Sequence, residues 1–451
     1  MKRKWMKRLF ALIAASCMCC FLSCGTPGTE TGISPGGESV QEGEGNNELL
    51  YGFAEPFAGT NVSGFNPRVE AYLAGVIGAK TFRLWMNDSN LFGAKYTEVI
   101  DNAELAEVPR SATLMYETYI EELRSAGIRE ITCMGMLFPR TASTANGLEG
   151  SFVPRRDEET GSEYMQFLEK VEILWESVAG AFPGIDVWEM GNETNQAAFL
   201  KYADGDPTTE ELAAINVDYM YYALKGIRKG NSSAVCITPG YAPVGGIGTV
   251  REFLTDVYDA IGSGNFPAGQ TKCTDPDEYF DGVAWHPYDG GSGIVLTKAP
   301  DIVQWVREND EVRQIMISRG DEEKEVWFTE FGFTFDMYSL PVAGEGEEDI
   351  TSYTINGVTY RLDDETEEKQ AEWIRLYFDA MKGMEYVHTC HFFRLCCAKK
   401  DAQWGGVGEI FFGCFLEPDS ALGRGFYPRK KAYVLQEIYG GTGDLNAYAR
   451  G

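Results

Sequence analysis

Histidine is scarce in this sequence, and positive charge is in short supply. Only three of the 451 residues are histidine, and 39 lysines and arginines face 68 aspartates and glutamates, for a formal net charge of -29 at pH 7. So acidic a surface repels phosphate backbones, and we therefore do not expect nucleic acid as a partner. Three histidines are too few for a histidine-rich metal centre, so we predict no catalytic metal and no cofactor.

Motifs that would indicate other chemistry are also missing. The seven cysteines after residue 24 contain no Cys-x-x-Cys pair, which argues against a zinc site; they are Cys133, Cys236, Cys273, Cys390, Cys396, Cys397 and Cys414. Their number is odd, so we expect mostly buried thiols, with one disulfide as an open alternative. No Gly-x-Gly-x-x-Gly follows the first predicted strand, which weakens a dinucleotide-binding interpretation.

The N-terminus has the pattern of an export signal. Residues 1–8 are basic and residues 9–22 are apolar, a stretch too short to span a membrane comfortably. It ends in "FLSCG", which resembles the lipobox of bacterial lipoproteins. The resemblance implies that Cys24 is lipidated and becomes the first residue of the mature chain. Secretion without a lipid is the alternative.

The segment after the signal is expected to be a flexible tether. Residues 24–47 are rich in Gly, Glu and Thr and contain no Phe, Trp, Tyr or Leu. Such a segment cannot bury enough apolar surface to offset the entropy of ordering it. We therefore assign residues 1–23 to the signal peptide, 24–47 to the tether and 48–451 to one folded domain, because no second change of composition follows.

Short apolar segments then alternate with segments of helical periodicity. The apolar segments predict strands at residues 49–55, 81–86, 130–138, 186–193, 234–241, 281–288, 325–333 and 388–397. In the intervening segments, such as "EYMQFLEKVEILW", apolar residues recur at helical spacing. Near-continuous apolar strands alternating with amphipathic helices indicate a parallel sheet covered by helices. Eight such units fit a closed (β/α)8 TIM barrel better than an open doubly wound sheet.

In such a barrel the carboxyl ends of all strands meet at one rim, where barrel enzymes carry their chemistry. The polar residues at these predicted strand ends are Glu55, Arg83, Asn192 with Glu193, His286 with Tyr288, Glu330 and Arg394. Glu193 and Glu330 would face each other across the mouth. Retaining glycoside hydrolysis uses two carboxyl groups about 5–5.5 Å apart, one to protonate the leaving oxygen and one to attack the anomeric carbon. Glu189, deeper on the same predicted strand face as Glu193, is expected to be structural.

The order of these motifs resembles that of the clan A glycoside hydrolases, a superfamily of retaining barrel enzymes that includes families 5 and 39. "GNETN" resembles the Asn-Glu pair after strand four, which implies that Glu193 is the acid/base and that Asn192 holds the sugar 2-hydroxyl. "FTEFG" resembles the signature of strand seven, which implies that Glu330 is the nucleophile. Thr194 stands where many relatives have proline. The segment "WEMGNE" resembles a family 39-like enzyme slightly more than a family 5-like one.

Two further motifs carry supporting residues. "WHPY" resembles the His-x-Tyr of strand six, which implies that His286 contacts the substrate and Tyr288 hydrogen-bonds to the nucleophile. "FRLW" resembles the arginine position of strand two, which implies that Arg83 keeps Glu330 ionised. A tryptophan from strand eight often forms the floor of the sugar site in the superfamily. Here Phe393 or Trp404 would take that place.

Two functional hypotheses follow from these residues. The first is a retaining O-glycosyl hydrolase for a poly- or oligosaccharide, anchored by a lipid on the outer or periplasmic side of a bacterial membrane. The second is a glycan-binding lipoprotein that captures sugar on the same barrel without cleaving it. Within the first, inverting and transglycosylating enzymes are alternatives. The sequence does not indicate the sugar, the linkage, exo or endo action, or the oligomeric state.

Overall fold

The computed structural model describes most of the chain after residue 47. It describes residues 48–55, 66–87, 91–92, 107–144, 152–264, 273–289, 295–296, 298–335, 349–355, 358–397 and 410–450. The predicted lipidation site at Cys24, the predicted tether 24–47 and Trp404 lie outside the described residues.

Eight parallel strands form the centre of the fold. They are β1 Leu50–Ala54, β2 Thr81–Asn87, β3 Glu130–Met136, β4 Val187–Glu189, β5 Val235–Ile237, β6 Val283–Trp285, β7 Val326–Phe331 and β8 Val387–Phe393. Neighbours pair in the order β5-β4-β3-β2-β1-β8-β7-β6. Parallel bridges from Ile237 to Gly282 and from Tyr241 to Trp285 bring the two ends of the sheet together. The predicted (β/α)8 barrel is therefore confirmed.

A helix follows each strand. The helices are α1 Pro67–Ile77, α2 Arg110–Ser125, α3 Glu163–Ala181, α4 Thr209–Gly230, α5 Ile247–Gly262, α6 Ile302–Ser318, α7 Asp364–Met381 and α8 Lys430–Tyr439. Local signals set their ends. Before α4, the Thr208 side chain accepts from the Glu211 amide while the Glu211 side chain accepts from the Thr208 amide, a capping box. Helix α1 ends at Gly78, whose φ of 98° favours glycine.

Strand alternation decides which side chains enter the barrel. On β4, Trp188 points outward and packs edge-on against Trp175 of α3, with ring centroids 5.6 Å apart. Val187 faces the interior, where it packs in a small cluster with Ile237, Ala284 and Trp327. Because side chains alternate along a strand, Glu189 also faces the interior, one layer above Val187.

Several strands end three or four residues before the predicted segments do, as at Glu189, Ile237, Trp285 and Phe393. The segment 186–193 is a strand only over Val187–Glu189, since Gly191 and Glu193 have φ values of 124° and 47°. The segment 388–397 leaves the barrel after Phe393, and Cys396–Cys397 pairs instead with Phe415–Leu416 in a separate three-stranded sheet. In both cases the buried segment continues beyond the barrel strand into the rim, because residues there stay buried without pairing in the barrel sheet.

The loops at the carboxyl rim carry short strands of their own. Phe152–Val153 pairs with Lys201–Tyr202, Val295–Leu296 with Thr334–Phe335, and Ser352–Ile355 with Val358–Arg361. All seven described cysteines are free thiols, and six of them are buried. Among the described residues, none of the helices combines the length and apolarity that crossing a membrane requires.

Candidate active site

Glu330 lies at the end of β7 and is only 6% exposed. Arg83 of β2 donates from Nη1 to Glu330 Oε1 over 2.6 Å. Tyr288, just after β6, donates from its hydroxyl to Glu330 Oε2 over 2.9 Å. Both carboxylate oxygens are therefore bound by donors from two other strands, which orients the carboxylate toward the barrel mouth.

The surroundings favour the ionised form of Glu330. Burial alone would raise the pKa of its carboxyl group, but the charges of His286 and Arg83 and the hydrogen bonds from Tyr288 and Arg83 outweigh burial. The pKa of Glu330 consequently lies below its ordinary value. Burial and the neighbouring Glu330 charge raise the pKa of the Tyr288 hydroxyl well above its usual range, so Tyr288 stays a donor.

Glu193 reaches the mouth because the backbone turns after β4. It is the one non-glycine residue with positive φ among the described residues, at 47°. This left-handed conformation costs on the order of 1 kcal/mol for a residue with a Cβ atom. A hydrogen bond of 2.9 Å from the Glu193 amide to the Gly240 carbonyl stabilises it.

The Glu193 side chain is held at both oxygens. Its Oε1 lies 2.9 Å from His286 Nδ1, and its Oε2 accepts from Gln196 Nε2 over 3.0 Å. His286 is fully buried. Burial alone would lower the pKa of its imidazole, but the charge of Glu330 and the hydrogen bond to Glu193 outweigh burial and raise it. The imidazole therefore carries a proton more readily than a free histidine.

The two glutamates are close together. One carboxylate oxygen of Glu193, one of Glu330 and one ring nitrogen of His286 all lie within 4.8 Å of one another. His286 Nδ1 lies 3.7 Å from Glu330 Oε2. A cation could in principle bind three such donors, but all four carboxylate oxygens already have hydrogen-bond partners in the protein. The arrangement suits two carboxyl groups that act on opposite sides of one bond.

Arg83 connects Glu330 to the end of β4. Its Nε and Nη2 donate to the two oxygens of Glu189 over 2.5 and 3.1 Å, and Nη2 also donates to Asn192 Oδ1 over 2.8 Å. Arg83 is 2% exposed, and its two carboxylate partners raise its pKa further despite burial. With Oδ1 of Asn192 bound in this way, the amide NH2 of that side chain is the end left to donate.

The strand-eight residues make contacts of their own at the rim. Phe393 ends β8 and packs edge-on against Phe412, with ring centroids 5.4 Å apart, and its peptide bond to Arg394 is cis. None of the contacts seen for the described residues joins Phe393 to Glu193 or Glu330. Arg394 pairs with the buried Glu55, 2.7 Å away.

Two residues of the cluster have no counterpart in the sequence prediction. Gln196 stands three positions after Glu193, a spacing that brings side chains together in a tight turn, so local spacing could have indicated it. Gly240 follows β5 and gives no local signal. A Cβ atom there would lie 2.4 Å from His286 Nε2 and 2.6 Å from Glu189 Oε1, so only glycine fits.

Comparisons with known proteins support the fold. No family model and no curated protein matches this sequence. Many solved structures are similar, and three of them illustrate the likeness. A family 39 glycoside hydrolase from Bacteroides cellulosilyticus is 15% identical, with a TM-score of 0.52 over 87% of this chain and 64% of that one. A GH5-4 broad-specificity endoglucanase from Clostridium longisporum is 16% identical, with a TM-score of 0.53 over 88% and 97%. Xylanase 10B from Thermotoga maritima is 13% identical, with a TM-score of 0.51 over 88% and 96%. The chain therefore has the TIM-barrel fold of these glycoside hydrolases.

Proposed function

We propose that this protein is a retaining glycoside hydrolase that cleaves O-glycosidic bonds of a poly- or oligosaccharide by double displacement. The observation that carries the proposal is the pair of glutamates at the ends of β4 and β7. One oxygen of Glu193 lies within 4.8 Å of one oxygen of Glu330, and Arg83 and Tyr288 hold the Glu330 carboxylate. The motif order supports a clan A enzyme of the family 39-like or family 5-like kind.

In the first step Glu330 is the nucleophile. One of its oxygens forms a bond to the anomeric carbon as the bond from that carbon to the leaving oxygen breaks. Glu193 gives its proton to the leaving oxygen, so the aglycone departs as a neutral alcohol. Arg83 and Tyr288 favour the ionised nucleophile, and they direct the carboxylate by binding both of its oxygens.

In the second step Glu193 is the base. It takes a proton from water while the water oxygen attacks the anomeric carbon and the ester bond to Glu330 breaks. His286 and Gln196 hold the Glu193 carboxyl group in place for both steps. The NH2 of Asn192 is proposed to donate to the sugar 2-hydroxyl. Phe393 or Trp404 is proposed to border the bound sugar.

We place this activity outside the cytoplasm. The signal pattern of residues 1–23 and the lipobox-like "FLSCG" support a lipid on Cys24 that holds the protein at the cell surface or the periplasmic face. The net charge of -29 disfavours polyanionic ligands.

A panel of aryl glycosides and β-glycans tests the proposal, with the first-formed product anomer followed by NMR. We expect hydrolysis of at least one substrate with retention of configuration. Glu330→Ala, purified in the same way, controls for contaminating glycosidases and should be inactive. Wild-type protein that binds oligosaccharide but hydrolyses no member of the panel would instead support the glycan-binding lipoprotein.

A further inference from the structure

The contacts below the two glutamates connect them to each other. We propose that Glu189 is a positioning residue for the catalytic pair. It holds Arg83 against Glu330 and, through Gly240, sets the backbone that carries Glu193. This inference rests on the proposed function and adds a residue to it. A purely structural role or a strand-end position for Glu189 would not by itself predict an effect on the orientation of both catalytic carboxylates.

The first arm runs through Arg83. Glu189 is 0% exposed, and a buried carboxylate is costly unless it is fully paired. Its two oxygens accept from Nε and Nη2 of Arg83, a side-on pairing that fixes the plane of the guanidinium group. With that plane fixed, Nη1 points at Glu330 Oε1, 2.6 Å away. Without the Glu189 carboxylate, Nε of Arg83 would lose its partner and the guanidinium plane would be less firmly fixed, although its charge would remain beside Glu330.

The second arm runs through Gly240. Its amide donates to Glu189 Oε1 over 2.9 Å, and its carbonyl accepts from the Glu193 amide over 2.9 Å. One residue therefore links the buried carboxylate to the backbone of Glu193, whose φ of 47° needs support. Since a Cβ atom at Gly240 would lie 2.6 Å from Glu189 Oε1, the residue must be glycine for this close approach.

Together the arms form one continuous path from Glu330 through Arg83, Glu189 and Gly240 to Glu193. The path connects β7, β2, β4 and the segment that follows β5. When two groups act on one bond, the reaction rate is sensitive to displacements of about 1 Å. Loss of this rigid connection should therefore lower the rate by more than the accompanying loss of folding stability would.

Glu189 also limits the charge that acts on Glu330. Arg83 shares its single positive charge between two carboxylates, and removal of the Glu189 charge would direct it to Glu330 alone. Glu330 is otherwise faced by the titratable groups of His286, Tyr288 and Glu193. Cys133 and His391 also lie near Arg83. We therefore expect loss of the Glu189 charge to make Glu330 a weaker base and a weaker nucleophile.

The test compares Glu189→Gln, which keeps the shape and removes the charge, with Glu189→Asp, which keeps the charge and shortens the reach. The probes are 2,4-dinitrophenyl 2-deoxy-2-fluoro-glycosides of glucose, xylose, mannose and galactose, with attachment to Glu330 followed by mass spectrometry across pH. Glu189→Gln should be labelled at least about 10-fold more slowly than the wild type, and the acid limb of its labelling rate against pH should lie at lower pH. Glu189→Asp should also be labelled slowly, but the acid limb of its labelling rate should stay at the wild-type pH.

Glu130→Gln is the matched control. Glu130 is a mostly buried carboxylate at the opposite end of the barrel, where it bonds to His388 and Thr389. This variant should lose stability in denaturant but label like the wild type. The proposal is overturned if folded Glu189→Gln labels at the wild-type rate with an unshifted limb. If Glu189→Gln does not fold, wild-type labelling by Glu189→Asp overturns it.

A second readout needs no substrate. Carboxyl ¹³C NMR of protein labelled at glutamate, with the Glu330 signal assigned through Glu330→Gln, follows titration of that group directly. We expect a lower midpoint in Glu189→Gln than in the wild type, and an equal midpoint would overturn the charge argument. If no probe labels the wild type, the proposed function fails while this measurement still decides the role of Glu189.

Discussion

A substitution in α1 gives the clearest quantitative prediction. Glu70 is 0% exposed, its Oε2 accepts from the Tyr119 hydroxyl, and its Oε1 has no hydrogen-bond partner among the described residues. Burial, followed by the charge of Glu55, raises the pKa of Glu70 from an ordinary value of 4.5 to about 8. Tyr119 and Arg394 only partly oppose this rise. Glu70 is consequently protonated in the folded protein at neutral pH.

The sign of the effect follows from linkage. Because the folded pKa lies above the unfolded one, the stability from the bound proton is fully present below about pH 4.5 and is lost as the pH rises through about 8. A tenfold change in the ionisation constant corresponds to about 1.4 kcal/mol, so the whole loss is on the order of 4–5 kcal/mol. Glu70→Gln keeps an acceptor for Tyr119 but cannot ionise, so it should escape this loss.

Denaturant unfolding of the wild type and Glu70→Gln at pH 5, 7 and 9 measures the difference. We expect the free energy of unfolding of Glu70→Gln to exceed that of the wild type by a margin that grows with pH. Glu365→Gln, at an exposed helix position, is the control and should show no such trend. A margin that stays constant from pH 5 to 9 would refute the reasoning, because Glu70 would then ionise alike in both states.

Three further predictions concern the site and the anchor. Tyr288→Phe removes a hydrogen bond that lowers the pKa of Glu330. The acid limb of kcat/KM against pH should therefore move to higher pH, and the maximum kcat/KM should fall about 10- to 100-fold. An acid limb at the wild-type pH would contradict this role. Gln196→Ala should slow substrates with poor leaving groups more than dinitrophenyl glycosides, because it frees Oε2 of the acid Glu193; equal slowing across leaving groups would count against it. Cys24→Ser should shift the protein from the membrane to the soluble fraction, and a wild-type mass without lipid would exclude the anchor.

The barrel was predictable because its signals are local. Apolar strands and amphipathic helices follow from composition and period, and these locate Tyr288 and Glu330 at or just after strand ends. Arg83 was also predicted at a strand end, but it lies within β2, four residues before the end of that strand. Strand-end position on one rim is enough to bring such residues together, since every β/α unit repeats the same geometry.

The finer geometry depends on contacts between distant segments. The turn after Glu189 breaks the strand alternation that would have grouped Glu189, Gly191 and Glu193 on one face, because two of these residues adopt positive φ. The contacts of Gly240 with Glu189 and Glu193 span 51 and 47 positions in the chain. The hydrophobic periodicity of the sequence does not indicate contacts between residues so far apart in the chain. Likewise, His286 could be placed on the rim from its motif, but its approach to Glu193 could not.

Azide rescue tests the assignment of the two glutamates most directly. With a dinitrophenyl glycoside that the wild type hydrolyses, Glu193→Ala should form the covalent intermediate without acid assistance and then stall, since no base activates water. Azide should restart turnover and give a glycosyl azide with the configuration of the substrate. Glu330→Ala with azide should give the inverted glycosyl azide. If both variants give the same product, or neither responds to azide, the assignment of Glu330 as nucleophile and Glu193 as acid/base is wrong.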